Sequence, residues 1–135
     1  MAGGDARAAL EELAHALRVL HQRLLAATQA DFEKLYGRVE GPGALLQLLI
    51  NDPLFAWLRP VSQQMAALDE LAADEVDAAV VEAARKSVAG LIDERSDFRA
   101  TYLIYLQADP DIVIAHAALR RLAPLIPRDR PNEAD

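Results

Sequence analysis

The chain of 135 residues is 53% hydrophobic, holds no cysteine and carries a net charge of −7. That is material for one domain with its own core. It excludes a disulfide framework, a thiolate zinc site and a cysteine nucleophile.

The hydrophobic stock is mainly Ala and Leu, with only 6 Gly and few aromatic residues. Such a composition favours helices and works against sheets. Nine acids between residues 69 and 97 face only Arg85, Lys86 and Arg95, so this segment holds −6 of the excess. A chain charged in this way is repelled by nucleic acid and by anionic membrane, and neither is expected as a partner. Met1–Glu12 has no apolar core of a signal peptide, and no apolar run approaches the roughly 20 residues of a membrane span. A cytoplasmic location is expected.

Asp5 to about Tyr36 contains no Pro or Gly and predicts one long helix. Leu10, Leu13, Leu17, Leu20 and Leu24 alternate steps of three and four, the pattern of a coiled-coil seam. Continuing that seam places Asp31 inside, so the apolar stripe is expected to move to Leu25, Phe32 and Leu35. Gly37 and Gly41-Pro42-Gly43 end the helix. Ala44–Ile50 is apolar on every side and predicts a short buried helix.

Asp52-Pro53 is a good helix start. Leu54, Trp57, Leu58, Val61, Met65, Leu68 and Ala72 form the stripe of that helix. Pro60 falls in its second turn, lacks an amide hydrogen and crowds the carbonyl of Ala56, so it should kink the helix or split it. Asp74 is expected to cap the next helix, whose inner face is Val76, Val80, Ala83, Ser87, Val88 and Leu91. Ser96 caps a segment with Phe98, Tyr102, Leu103 and Leu106. Asp109-Pro110 starts a last helix through Ile112, Ala115, Leu119, Leu122 and Ile126. The fold class is therefore all-α: a bundle of five or six helices in one domain, 1–127, followed by a polar tail, 128–135, expected to be mobile.

Several constellations bear on chemistry. Glu12 and His15 have the Glu-x-x-His spacing of di-iron bundles, but there is no second copy and both fall outside the leucine seam. His21 and His116 lie beside apolar stripes and are candidate ligands for a metal or haem; hydrogen bonding at the core boundary is the plainer reading. Glu94-x-x-Asp97, with Glu82 and Asp93 near, supplies half of the carboxylate set of the all-helical, magnesium-dependent nucleotide pyrophosphatases. The Arg–His pairs lack the spacing of helical ribonuclease toxins, and no phosphate-binding glycine loop or nucleophile elbow is present. Trp57, Pro60, Tyr102, Tyr105 and His116 are the candidate lining of a ligand pocket. Plain core aromatics with polar tips are the alternative.

Asn51-Asp52-Pro53-Leu54-Phe55-Ala56-Trp57-Leu58-Arg59-Pro60-Val61-Ser62, with Leu106-Gln107-Ala108-Asp109-Pro110-Asp111, resembles small uncharacterised bacterial helical proteins. The resemblance implies a bacterial, cytoplasmic, helical protein and brings no activity with it. The expected function is a non-enzymatic interaction module without a cofactor, forming a homodimer through the first helix or the Pro60 helix. The alternatives are a binding protein for an apolar molecule or haem near Trp57 and Pro60, and a metal-dependent nucleotide hydrolase using residues 82–97.

Overall fold

Helix α1 (Ala2–Tyr36) is the spine, 35 residues long and so about 52 Å from end to end. The computed structural model describes residues 2–124, and among these there are six α-helices and no strand. The boundary expected at residue 127 and the polar tail lie outside the described residues, as does Ile126. After α1 come α2 (Gly41–Asn51), a 3-10 turn (Ala56–Leu58), α3 (Arg59–Ala73), α4 (Ala78–Asp93), α5 (Asp97–Ala108) and α6 (Pro110–Leu122). Helices α3, α4 and α6 pack along α1, while α5 packs on α6 and on the 3-10 turn. No helix among the described residues is long and apolar enough to cross a membrane.

The leucine seam faces inward as expected. Leu10, Leu13, Leu17, Leu20 and Leu24 are all buried, and they are covered by α3, α4 and α6 of the same chain. Past Leu24 the inward face moves round by one residue to Thr28, fully buried, and Leu25 and Phe32 of the expected stripe pack against the core. Leu35 of that stripe is 69% exposed, and Asp31 is half-buried. Polar residues can hold these inward positions because each finds a hydrogen-bond partner there.

The turn after α1 needs glycine. Gly37 and Gly41 have φ of +93° and +87°, in the left-handed region that side chains disfavour. Gly37 N–H donates to the Glu33 carbonyl, and the Glu33 carboxylate accepts from Val39 N–H at 2.8 Å.

Helix α2 departs from expectation, because none of its residues is buried. Leu45, Leu48 and Leu49 rest against the core, whereas Leu46 and Ile50 point away, 53% and 54% exposed. The helix packs chiefly on the 3-10 turn. There Phe55, fully buried and paired with Phe32, already closes the end of the core.

Asp52-Pro53 opens a turn and not a helix. The Asp52 carboxylate accepts from Leu54 N–H, and the backbone then follows the 3-10 turn. Pro60 sits in the first turn of α3, where its missing amide hydrogen is not needed. The interruption expected at Pro60 is thus the start of a helix.

Helix α4 is capped by Asp77, whose side chain accepts from Val80 N–H, and not by Asp74. Val76 and Val88 of the expected face are buried, but the rest of the buried stripe is Val81, Ala84 and Ile92, while Val80 and Leu91 are half-buried and Ala83 and Ser87 exposed. The expected face would have turned Ser87 into the core; instead Ser87 donates to Gln64. Ser96 and Asp109 cap α5 and α6 as expected.

Candidate functional site

Four of the five residues expected around a pocket, Trp57, Tyr102, Tyr105 and His116, form a continuous row of rings with Phe98. Phe98 and Tyr105 are seven residues apart on α5, about 10.5 Å along the helix axis. Trp57 stacks on Tyr105 with ring centroids 5.0 Å apart and on Phe98 at 5.6 Å, so the indole is held between them. Phe98 also stacks on Tyr102, and Tyr102 contacts the His116 ring at 5.7 Å. Pro60 is not part of the row. It lines a surface groove of about 510 Å³ between α3 and α4, with Gln63, Gln64, Lys86, Ser87 and Phe98 among its walls. Trp57, Tyr102, Tyr105 and His116 do not line that groove.

Each polar tip in the row has a partner. Trp57 Nε1 donates to Thr28 Oγ1 at 3.2 Å, and Thr28 donates in turn to the Leu24 carbonyl at 2.8 Å. The Tyr105 hydroxyl donates to Asp31 at 2.8 Å. Tyr102 and His116 Nδ1 share a hydrogen bond of 2.7 Å, in which the phenol donates when Nδ1 carries no proton. Burial pushes the Tyr102 hydroxyl well above the usual tyrosine range, against a smaller opposing pull from Arg120. Tyr105 is also raised, first by burial and then by its bond to the Asp31 carboxylate. Both phenols therefore stay neutral and act as donors.

The two candidate histidines serve different helices. His21 pairs with Ser62 of α3 at 3.3 Å, and His116 with Tyr102 of α5. Burial lowers both from their ordinary value; at His116 the charge of Arg120 adds to this and Asp93 works against it.

The acidic candidates are not brought together. Asp93 forms a two-pronged ion pair with Arg120, which also donates to the Ala123 carbonyl. Glu82, Glu94 and Asp97 are exposed. Among the described residues there is no group of three or more His, Asp or Glu side chains placed to hold a metal ion. Glu12 and His15 are exposed on the side of α1 that faces a groove against α6.

Two features were not anticipated. One is the pair of acceptors on α1: Asp31 lies one heptad past Leu24 and could have been found by extending the seam, whereas Thr28 lies beside the seam, one heptad past His21. The other is a set of exposed apolar side chains. Among the described residues the exposed large hydrophobics are Leu35, Tyr36, Leu46, Ile50, Ile104, Val113 and Ile114. They belong to the end of α1, to α2, to the second half of α5 and to the start of α6. No single stripe in the sequence marks them, because they come from four helices.

Comparison with protein-family models, with curated proteins and with solved structures gives no match.

Proposed function

We propose that this protein is a non-enzymatic helical interaction module that associates with itself through the end of the bundle where α2 lies. The observation that carries this reading is α2, an apolar, charge-free helix with no buried residue. Leaving Leu46 and Ile50 in water has a cost that a partner surface removes. The leucine seam of α1 and the Val61–Leu68 stripe of α3 are turned into the chain's own core. Association therefore calls for a surface other than these two stripes.

Charge supports the same surface. Residues 41–68 hold only Asp52 and Arg59, a net charge of zero, whereas residues 69–97 hold −6. Two copies meeting at the neutral end keep their acidic segments apart. Sedimentation equilibrium is the test. The wild-type chain is expected to dimerise, and Leu46→Asp with Ile50→Asp to give a monomer of unchanged helicity. A wild-type chain that stays monomeric at high concentration overturns the reading.

The groove beside Pro60 supports the second reading, a small-ligand binding protein. Its walls include Gln63, Gln64, Lys86 and Phe98. Native mass spectrometry of freshly purified protein tests it: a small mass lost on denaturation is the expected result, and a bare chain counts against it.

A further inference from the structure

Gly90 lies inside α4, where glycine weakens a helix relative to alanine. Its backbone does not call for glycine, since the positive φ values belong to Gly37 and Gly41. Its neighbours do not call for it either. A Cβ built at this position meets only the Glu94 side chain within 4 Å, with Oε1 at 3.1 Å. Glu94 is exposed, so that flexible end can move aside. What the missing side chain provides is room. The room opens into the groove of about 510 Å³ between α3 and α4, which is within the size range of small-molecule sites.

Both signs of charge line this groove. The Glu94 carboxylate folds back over Gly90 at the C-terminal end of α4, where the helix dipole disfavours negative charge and favours a cation. Lys86 and Arg95 line the same groove. Among the described residues neither base pairs with Glu94; the ion pairs join Lys34 to Asp31 and Arg120 to Asp93. Opposite charges that share a groove without closing on each other are both left to a third molecule. Pro60, Leu91 and Phe98 add apolar wall. Ser87 donates to Gln64 at 3.0 Å and so ties α4 to α3 at the groove.

We infer that this groove binds a free α-amino acid with an apolar side chain. The ammonium group meets Glu94 over Gly90, the carboxylate meets Lys86 and Arg95, and the side chain rests on Pro60, Leu91 and Phe98. An anion alone would meet the Glu94 carboxylate, and an amine alone would meet Lys86 and Arg95; a zwitterion satisfies both signs. This inference rests on the second reading above, the small-ligand binding protein, and names its ligand class.

Isothermal titration calorimetry tests it, with L-leucine, L-methionine and L-phenylalanine as probes. For the tightest of these, the amine that lacks its carboxylate and the acid that lacks its ammonium group are the controls. At least one amino acid is expected to bind, and each control to bind more weakly by about tenfold or more, the loss of one charge-assisted contact. Glu94→Gln and Lys86→Gln change exposed side chains. Both are expected to keep the helicity of the wild type by circular dichroism and to weaken binding by a similar factor. Gly90→Leu fills the room and is expected to abolish binding while the urea midpoint stays at or above that of wild type.

No binding by any of the three amino acids at millimolar concentration overturns the inference. So do controls that bind as tightly as the amino acid, or charge variants that bind it as well as wild type does. A small mass seen in native mass spectrometry and lost in Gly90→Leu, from a chain that binds none of the three, leaves the second reading standing and overturns the ligand class alone.

Discussion

The two ends of α1 meet different surroundings. From Leu10 to Leu24 every seam position is a leucine, and three helices cover it. Past Leu24 the inward side carries Thr28 and the half-buried Asp31. They receive the indole of Trp57 and the hydroxyl of Tyr105, and beyond them Leu35 and Tyr36 are exposed. The first end is held by non-directional burial, the second by a few directed hydrogen bonds and stacked rings. At this second end a groove of about 390 Å³ lies between α1 and α5, and α2 has no buried residue. The end of the molecule with the thinner packing is thus the end with surface to offer a partner.

Substitutions at the two ends should expose this difference. Leu17→Ala empties a completely buried site and is expected to lower unfolding free energy by about 2–5 kcal/mol. Leu35→Ala, at the other end, is expected to change it by no more than about 0.5 kcal/mol. Urea titration of both variants checks the contrast, and equal losses would refute it.

Thr28→Val keeps the shape of the seam and removes the acceptor of the Trp57 indole. A loss of about 1–2 kcal/mol is expected, the cost of leaving a part-buried donor without a partner. A shift in tryptophan emission should accompany it, and an emission spectrum identical to wild type would show that the bond is not formed. Asp77→Ala removes the cap of α4 at the well-packed end and is expected to cost about 1 kcal/mol in the same titration.

The gentlest probe is pH. His21 and His116 both have folded-state values below the ordinary 6.5, chiefly because burial disfavours the charged ring. Below pH 6.5 the unfolded chain takes up these protons more readily than the folded one. Stability is therefore complete above 6.5, falls as pH drops below it, and levels off under the lowered folded values. Protonating His116 also turns its Nδ1 into a donor, which takes away the acceptor of the buried Tyr102 hydroxyl. Urea midpoints at pH 7.5 and 5.5 measure the effect, and His116→Gln should reduce the slope. A midpoint that rises on acidification would contradict it.

Composition and spacing were enough to specify the helices themselves. Alanine and leucine at steps of three and four, Ser96 and Asp109 before helix starts, and glycines at 37 and 41 act within a few residues of chain, so each is readable locally. The leucine seam was legible for the same reason. What local pattern could not decide was which apolar surfaces would find a cover. Ala44–Ile50 is apolar enough to be buried, yet burial requires a neighbour, and Phe55 had already closed the core there. On α4 the expected face held Ser87, yet the buried stripe runs through Val81, Ala84, Val88 and Ile92 and leaves Ser87 exposed, where its hydroxyl needs no partner in the core. The aromatic row likewise joins Trp57 to residues on α5 and α6, and its acceptors lie some 29 and 74 residues away from their donors in sequence. Such pairings exist only once the helices have packed, so the candidate site and the uncovered end were decided by the tertiary structure, where each helix face takes whatever partner the other helices leave it.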